Sequence, residues 1–192
     1  MWAGFHPQPI TADYYHEQLG IAFGDAAEDV AAQYPVGTYA TPGLAWATVV
    51  TDRVWACPAQ AELRHYAAVT PTFAYYFDDR EAPRAFPGAP EIPLGAYHGA
   101  ELTYLFGDAR FDPSNRHDAD QRELSSQMIQ YWSDFARSGD PNGPDLPAWE
   151  PFEGGDPAPF VQRLAPGPDG LGPVDVIAEH RCDFWADLTA AD

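Results

Sequence analysis

A shortage of β-strand constrains this 192-residue chain more than any other feature of its sequence. One segment reads as a buried strand: Pro71 opens PTFAYYF, where Phe73, Tyr75 and Phe77 alternate with Ala74 and Tyr76 and the aromatic density favours burial. The best further strand is FVQRL, 160–164, inside a Pro-rich stretch of loop and short strands from 140 to 175. One buried strand cannot make a sheet, because its edges need partners. The chain is therefore expected to be part of a larger layered fold, or to pair with itself.

Helical patterns dominate elsewhere. Residues 11–34 read as one or two short helices: Thr11 or Asp13 caps the first, Gly24 breaks it, and Asp25 caps AAEDVAAQY, which ends before Pro35. A second helical stretch runs over 43–68, with Thr51 as an N-cap inside it and Pro58 bending or restarting it. Val54, Cys57, Ala61 and Leu63 follow its helical spacing only roughly. The clearest helix covers 120–138. Asp120 and Glu123 form a capping-box pattern, Leu124, Met128, Tyr131, Trp132 and Phe135 make the buried stripe, and Gly139 followed by Pro141 stops it. The run 78–96 is loop, and a final amphipathic helix over 174–188 carries Val176, Ile177, Cys182, Phe184, Trp185 and Leu188.

The length fits one domain or a large piece of one. Hydrophobic residues make up 45% and aromatics 14%, a supply that a disordered tail lacks. The formal net charge is −19, from 29 acids against 10 basic residues, every one of them Arg. Nucleic acid is bound by neutralising phosphates, and anionic membrane surfaces repel the same charge, so neither is an expected partner. No apolar run approaches the roughly 20 residues that span a bilayer. The N-terminus, MWAGFHPQPITADYY, lacks a basic region followed by an apolar one, so it does not read as a signal peptide, and the compartment stays open.

Five serines are present, Ser114, Ser125, Ser126, Ser133 and Ser138, and none sits in the GxSxG turn that exposes a hydrolase nucleophile. Ser114 reads as a turn residue and the others lie on or at the end of a helix. There is no phosphate loop, dinucleotide fingerprint or HExxH, and the acids are too dispersed for a metal cage, so neither metal nor cofactor is expected. His6, His16, His65, His117 and His180 share no spacing and read as surface or internally satisfied histidines. Asp78 and Asp79, after a strand, read as the start of a turn. Cys57 and Cys182 lie far apart and outside any CxxC or Cys/His spacing. They are either two core thiols or one long-range disulfide, and the sequence by itself leans to thiols. His98 differs in its setting. It follows a long loop after the buried strand, and Gly99 lets the backbone approach closely. General-base histidines are placed this way, on a loop held by a rigid element.

Several segments then match one family in order. HGAELTYLFG (98–107) resembles the type-B carboxylesterase pattern HGxEL-x-Y-hydrophobic-FG, in which the histidine is the triad base. TDRVWACPA (51–59) resembles the family's TD-x-x-F-x-CPA helix start, and FAYYFD (73–78) the strand ahead of the histidine loop. YWSDFARSGDPNG (131–143), then Pro147-Ala148-Trp149, are similar to W-x-x-FA-x-x-GDPN and P-x-W, and RCDFW (181–185) to the closing C-x-FW. The matches cover roughly residues 45–187 and are similar to the C-terminal third of para-nitrobenzyl esterase-like and cholinesterase-like enzymes.

The resemblance implies an α/β fold, the C-terminal portion of an α/β-hydrolase, mostly helices and loops with few sheet strands. It also implies acyl transfer through Ser, His and Glu or Asp. His98 takes the general-base position, and Tyr97 becomes a substrate-binding neighbour of the reacting centre. Cys57 and Cys182 fall on two cysteines that cholinesterase-like members join as a disulfide. Asp52 falls on a family acidic position and reads as a structural or supporting acid. The nucleophile elbow, oxyanion-hole glycines and triad acid lie N-terminal to this region in the family and are absent from these residues. The expectation is thus the C-terminal part of a carboxylic-ester hydrolase, inactive alone, that meets its ester substrate only in the complete enzyme. The alternatives are a non-catalytic remnant serving as a self-associating or interaction module, and one half of a split esterase that pairs with a separate N-terminal part.

Overall fold

The computed structural model describes residues 10–84, 94–107 and 116–190; His6 and Ser114 lie outside them. Among the described residues the chain is mostly helical with one small three-stranded sheet, which is compatible with part of an α/β-hydrolase fold. It divides into two compact units. One comprises the described residues through Ala61 together with those from Ile177, and the other is Glu62–Val176.

In the first unit, α1 (Ala12–Phe23) begins where Thr11 accepts a hydrogen bond from the Tyr14 N–H at 3.1 Å. Gly24, at φ +53°, ends it. Asp25 is not the next cap: it is taken into a 3₁₀ turn, Gly24–Ala26, and α2 (Ala27–Gln33) continues from that turn without a side-chain cap. The stretch expected over 43–68 is α3 (Pro42–Val50), a π-helical turn (Thr51–Ala56) and α4 (Cys57–Ala67). Its cap is Thr41, which accepts from the Leu44 N–H at 3.2 Å, with Pro42 in the first turn where a missing N–H is harmless. Thr51 is no cap; its hydroxyl donates back to the Ala47 carbonyl at 2.8 Å, in mid-helix. The wide turn carries the Cys57 N–H to the Asp52 carbonyl, so Pro58 is met without breaking the helix. The single helix expected over 174–188 is two, α7 (Val176–Glu179) and α8 (Cys182–Ala190), because Arg181 between them adopts φ +52°. Tyr15, Leu19, Val30, Tyr34, Val49 and Trp185 form this unit's core.

In the second unit, β1 (Tyr75–Phe77) pairs in parallel with β2 (Gln162–Leu164), and β2 pairs antiparallel with β3 (Leu171–Pro173). The expected strand at 71–77 is shorter and less buried than its aromatics suggest, Tyr75 being 44% exposed. β1 is an end strand of this sheet, with β2 on one side only. Alternation sends Ala74 and Tyr76 to a cluster with Phe152, Val161 and Val176, and Phe73 and Phe77 to another with Tyr104, Leu124, Met128, Tyr131 and Trp149.

The short α5 (Leu102–Phe106) precedes the long α6 (Ala119–Ser138). The capping box of α6 is Asp118 with Gln121, two positions before the expected pair: the Gln121 N–H donates to Asp118 Oδ1 at 2.9 Å and the Asp118 N–H to Gln121 Oε1 at 3.0 Å. Asp120 and Glu123 face solvent on the same turn. Leu124, Met128 and Tyr131 are buried as expected, whereas Phe135 is 47% exposed. Beyond Gly139, Asn142 clamps Trp149 on both sides, its amide donating to the Trp149 carbonyl at 2.9 Å and accepting from the Trp149 N–H at 2.8 Å.

The link between β2 and β3 generates one prediction. A Cβ on Gly170 would lie 1.8 Å from the Ala165 carbonyl oxygen, a backbone atom already held by its own turn. Gly170→Ala should therefore destabilise by about 2 kcal/mol and lower Tm by roughly 6 °C in a calorimetric scan. A second prediction concerns alkali. Burial pushes the Tyr131 phenol up to about 12, and burial followed by the neighbouring Tyr39 does the same for Tyr15. Both hydroxyls donate to carbonyls, of Pro147 and Tyr34 respectively. The folded state thus holds these protons more tightly than the unfolded state. Their stabilisation is complete below pH 10, the unfolded value, and is lost as pH rises from about 10 to about 12. Denaturation midpoints measured across that window should fall together with the appearance of tyrosinate absorbance.

Candidate active site

The segment His98–Gly107 folds as a turn running directly into α5. The Ala100 N–H donates to the Tyr97 carbonyl at 3.0 Å and the Leu102 N–H to the Gly99 carbonyl at 3.2 Å. Gly99 sits at φ +86°, a conformation that costs a side-chain-bearing residue energy, so the turn requires glycine. The burial pattern then divides the segment. Ala100, Thr103 and Tyr104, spaced as one helical face, are buried, while His98 is exposed.

Each buried member is tied to something else. The Thr103 hydroxyl donates to the Ala100 carbonyl at 2.9 Å and lies 3.1 Å from His117 Nε2. The Tyr104 phenol donates to Asp79 Oδ2. Burial first, and that bond second, push the phenol far above its ordinary value, so it stays a donor. Asp79 also accepts from Gln121 Nε2 at 2.8 Å and from the Glu81 N–H at 2.9 Å. The Ser125 hydroxyl donates to the Tyr104 carbonyl at 2.6 Å. Asp79 starts the expected turn, accepting from the Glu81 N–H, and His117 is an internally satisfied histidine as expected; both are also buried joints around the histidine segment. The 25 and 42 residues that separate Asp79 from its side-chain donors hid this from the sequence.

Tyr97 is half-buried, and its hydroxyl donates to the Pro83 carbonyl at 2.8 Å. Ser125, Ser126 and Ser138 all donate to backbone carbonyls, in keeping with structural roles. Chemically, the arrangement presents one solvent-facing imidazole on a firmly seated turn, able to accept a proton from a nucleophile brought within hydrogen-bond reach.

A second cluster lies in the other unit. Cys57 and Cys182, for which the sequence by itself leans to thiols, are joined in a disulfide with Cα atoms 5.2 Å apart. Asp52, fully buried, receives the Tyr34 hydroxyl at 2.8 Å and contacts His180 Nδ1 at 2.6 Å and the Arg181 guanidinium at 3.5 Å. The Trp185 indole N–H donates to the Tyr34 hydroxyl at 2.7 Å, and the Arg181 guanidinium lies 4.5 Å over the Tyr34 ring. Asp52 and His180 reproduce the carboxylate–imidazole contact of a triad, yet both side chains are buried, so the pair holds α8 to the π-helical turn rather than offering a base to substrate. His180, expected as a surface or internally satisfied histidine, is buried and satisfied at Nδ1 by Asp52, a partner that sequence reasoning missed though a signal for it existed. The signal was the cysteine pair itself: Asp52 lies five residues before Cys57 and His180 two before Cys182, so joining the cysteines gathers them.

Among the described residues no three His, Cys, Asp or Glu side chains group to hold a metal, and no helix is long and apolar enough to cross a membrane.

Residues 13–185 match the carboxylesterase family. The chain is 34% identical over 144 residues to acetylcholinesterase of Gallus gallus, covering 71% of this chain and 17% of that protein. It is 35% identical over 117 residues to carboxylesterase 5A of Mus musculus (59% and 19%) and 38% identical over 94 residues to carboxylesterase 4A of Bos taurus (47% and 16%). The match therefore spans less than a fifth of each of these relatives.

The Asp52 cluster yields a prediction. His180, close and dry, outweighs Arg181, which is more distant and partly solvated. Asp52→Ala leaves the buried imidazole and phenol without their acceptor and should destabilise by roughly 3–5 kcal/mol. Asp52→Asn, which keeps one acceptor for Tyr34, should recover part of that loss. Equilibrium urea unfolding of the three proteins checks the ranking.

Proposed function

The chain belongs to the carboxylesterase family, and from that premise we propose that His98 is the general base of a serine carboxylesterase acting on carboxylic esters. The observation that carries this reading is the exposed imidazole at the start of a helix anchored from below. As a serine hydroxyl attacks the ester carbonyl carbon, His98 accepts its proton and a tetrahedral oxyanion forms. The imidazolium then gives that proton to the departing alkoxide, leaving an acyl-serine and an alcohol. Water, deprotonated by the same imidazole, attacks the acyl-serine; as the acyl–oxygen bond breaks, the imidazolium returns the proton to the serine oxygen and the carboxylic acid is freed. Tyr97, its hydroxyl engaged with Pro83, offers the substrate a ring surface rather than a proton.

None of the five serines stands in a nucleophile turn, so serine, triad acid and oxyanion donors are supplied by residues beyond these 192, and the 192 alone do not turn over ester. A second reading, a self-associating or interaction module, is favoured by the exposed rings of Tyr75 and Phe135.

The purified chain should show neither burst nor turnover of para-nitrophenyl acetate above a His98→Ala control, which also corrects for slow imidazole background. Serine-type turnover lost on that substitution would overturn the inactivity of the chain alone. Reconstituted with a polypeptide that carries the family's serine portion, the chain should gain turnover that drops at least about 100-fold in His98→Ala. Unchanged turnover there would remove His98 from the base role. Stable dimers without reconstituted activity would favour the second reading.

A further inference from the structure

We infer that Asp79 is the positioning residue for His98, acting through the Tyr104 phenol to hold the histidine turn in place. The inference rests on the reading of His98 as the base. The backbone of a turn that runs directly into a helix is placed by the element that follows it. For His98 that element is α5, of five residues, too short to hold itself by its own hydrogen bonds. Two of its side chains, Thr103 and Tyr104, are buried. Thr103 bonds back into the histidine turn at the Ala100 carbonyl and lies 3.1 Å from His117 Nε2, and the Ser125 hydroxyl of α6 donates to the Tyr104 carbonyl, but none of these ties reaches the sheet. The Tyr104 side chain supplies that tie. Its hydroxyl reaches Asp79, two residues past the end of β1, and the same carboxylate takes Gln121 Nε2 from the first turn of α6.

Gln121 is itself fixed, because its carbonyl closes the capping box with the Asp118 N–H while its amide faces Asp79. One carboxylate therefore registers the turn-and-helix body against the sheet and the long helix together. A charge at this joint strengthens each bond and makes each donor necessary. The Tyr104 ring, stacked 4.2 Å from His117 and edge-on to Phe77 at 5.1 Å, confines sliding in the remaining direction.

The test reads the turn directly and needs no activity. In the ¹⁵N-labelled chain, backbone order parameters of His98, Gly99 and Ala100 are measured in the parent, Tyr104→Phe, Asp79→Ala and Asp79→Asn. The parent should stand near the rigid value of about 0.85, and Tyr104→Phe and Asp79→Ala should fall below about 0.6 at these three positions alone. Asp79→Asn, which keeps an acceptor for the phenol, should restore most of the order. Should Asp79→Ala fail to fold, Tyr104→Phe decides, since it keeps the ring and loses only the hydroxyl. Order parameters that stay near the parent value while the variants unfold more easily would overturn the inference and leave Asp79 a purely stabilising residue. A turn that loosens as described while reconstituted His98→Ala stays active would leave the positioning intact and remove the base role, so the two readings fail separately.

Discussion

The carboxylate of Asp79 takes donors from three places: the Tyr104 phenol of α5, the Gln121 amide of α6 and the Glu81 backbone N–H just beyond it. A buried carboxylate without donors costs several kcal/mol, and one missing donor brings back much of that cost. The charge is therefore satisfied only when sheet end, short helix and long helix stand in one arrangement. Such a group adds little net stability compared with an apolar substitute of the same shape; what it imposes is position. Asp52 follows the same rule in its own unit, where Tyr34, His180 and Arg181 converge on one buried acid and bring the start of α8 to the π-helical turn.

The segments that identify the family mostly do scaffold work. In HGAELTYLFG the side chains of His98, Leu102 and Phe106 are exposed, and His98 is the one we propose for chemistry. Gly99 makes the turn, and Ala100, Thr103 and Tyr104 seat it. The GDPN…PAW segment contributes no reactive group. Its Asn142 plays the part of a neighbouring strand for Trp149, whose ring packs against Tyr131, Trp132 and Tyr75. Patterns of this kind point to a fold precursor of the site, which explains how a family can be legible while activity is not.

What was readable in the sequence was local. Leu124, Met128 and Tyr131 of the α6 stripe, the Thr11 cap and the stops at Gly24 and Gly139 depend on residues within a turn of one another, and they stand where periodicity puts them. The errors arise where two local solutions compete. Asp118–Gln121 and Asp120–Glu123 are both capping boxes on paper, and burial of Gln121 against Asp79 selects the first. Thr51 looks like a cap, but the helix already has one ten residues earlier in Thr41, leaving its hydroxyl to bond backward to Ala47. The left-handed Arg181 carries no sequence mark, because its strain is offset by contacts with Asp52 and the Tyr34 ring. Asp52 reads as a structural acid from the resemblance, yet the side-chain partners of both buried acids are not legible, since they lie 18 or more residues away.

The same physics sets what His98 can do. Solvent exposure makes its imidazole accessible to a nucleophile. A triad base gains its effect from being held within about 3 Å of one hydroxyl, in a site where donors already point at the oxyanion to come. Asp79 and Tyr104 supply the holding from beneath. On the proposed reading of His98 as the base, a hydroxyl, an orienting acid and oxyanion donors would meet it from the exposed side of the turn. If His98 is the base we propose, a turn held in place in advance is what lets such a site be completed without a further loss of conformational freedom when its partners arrive.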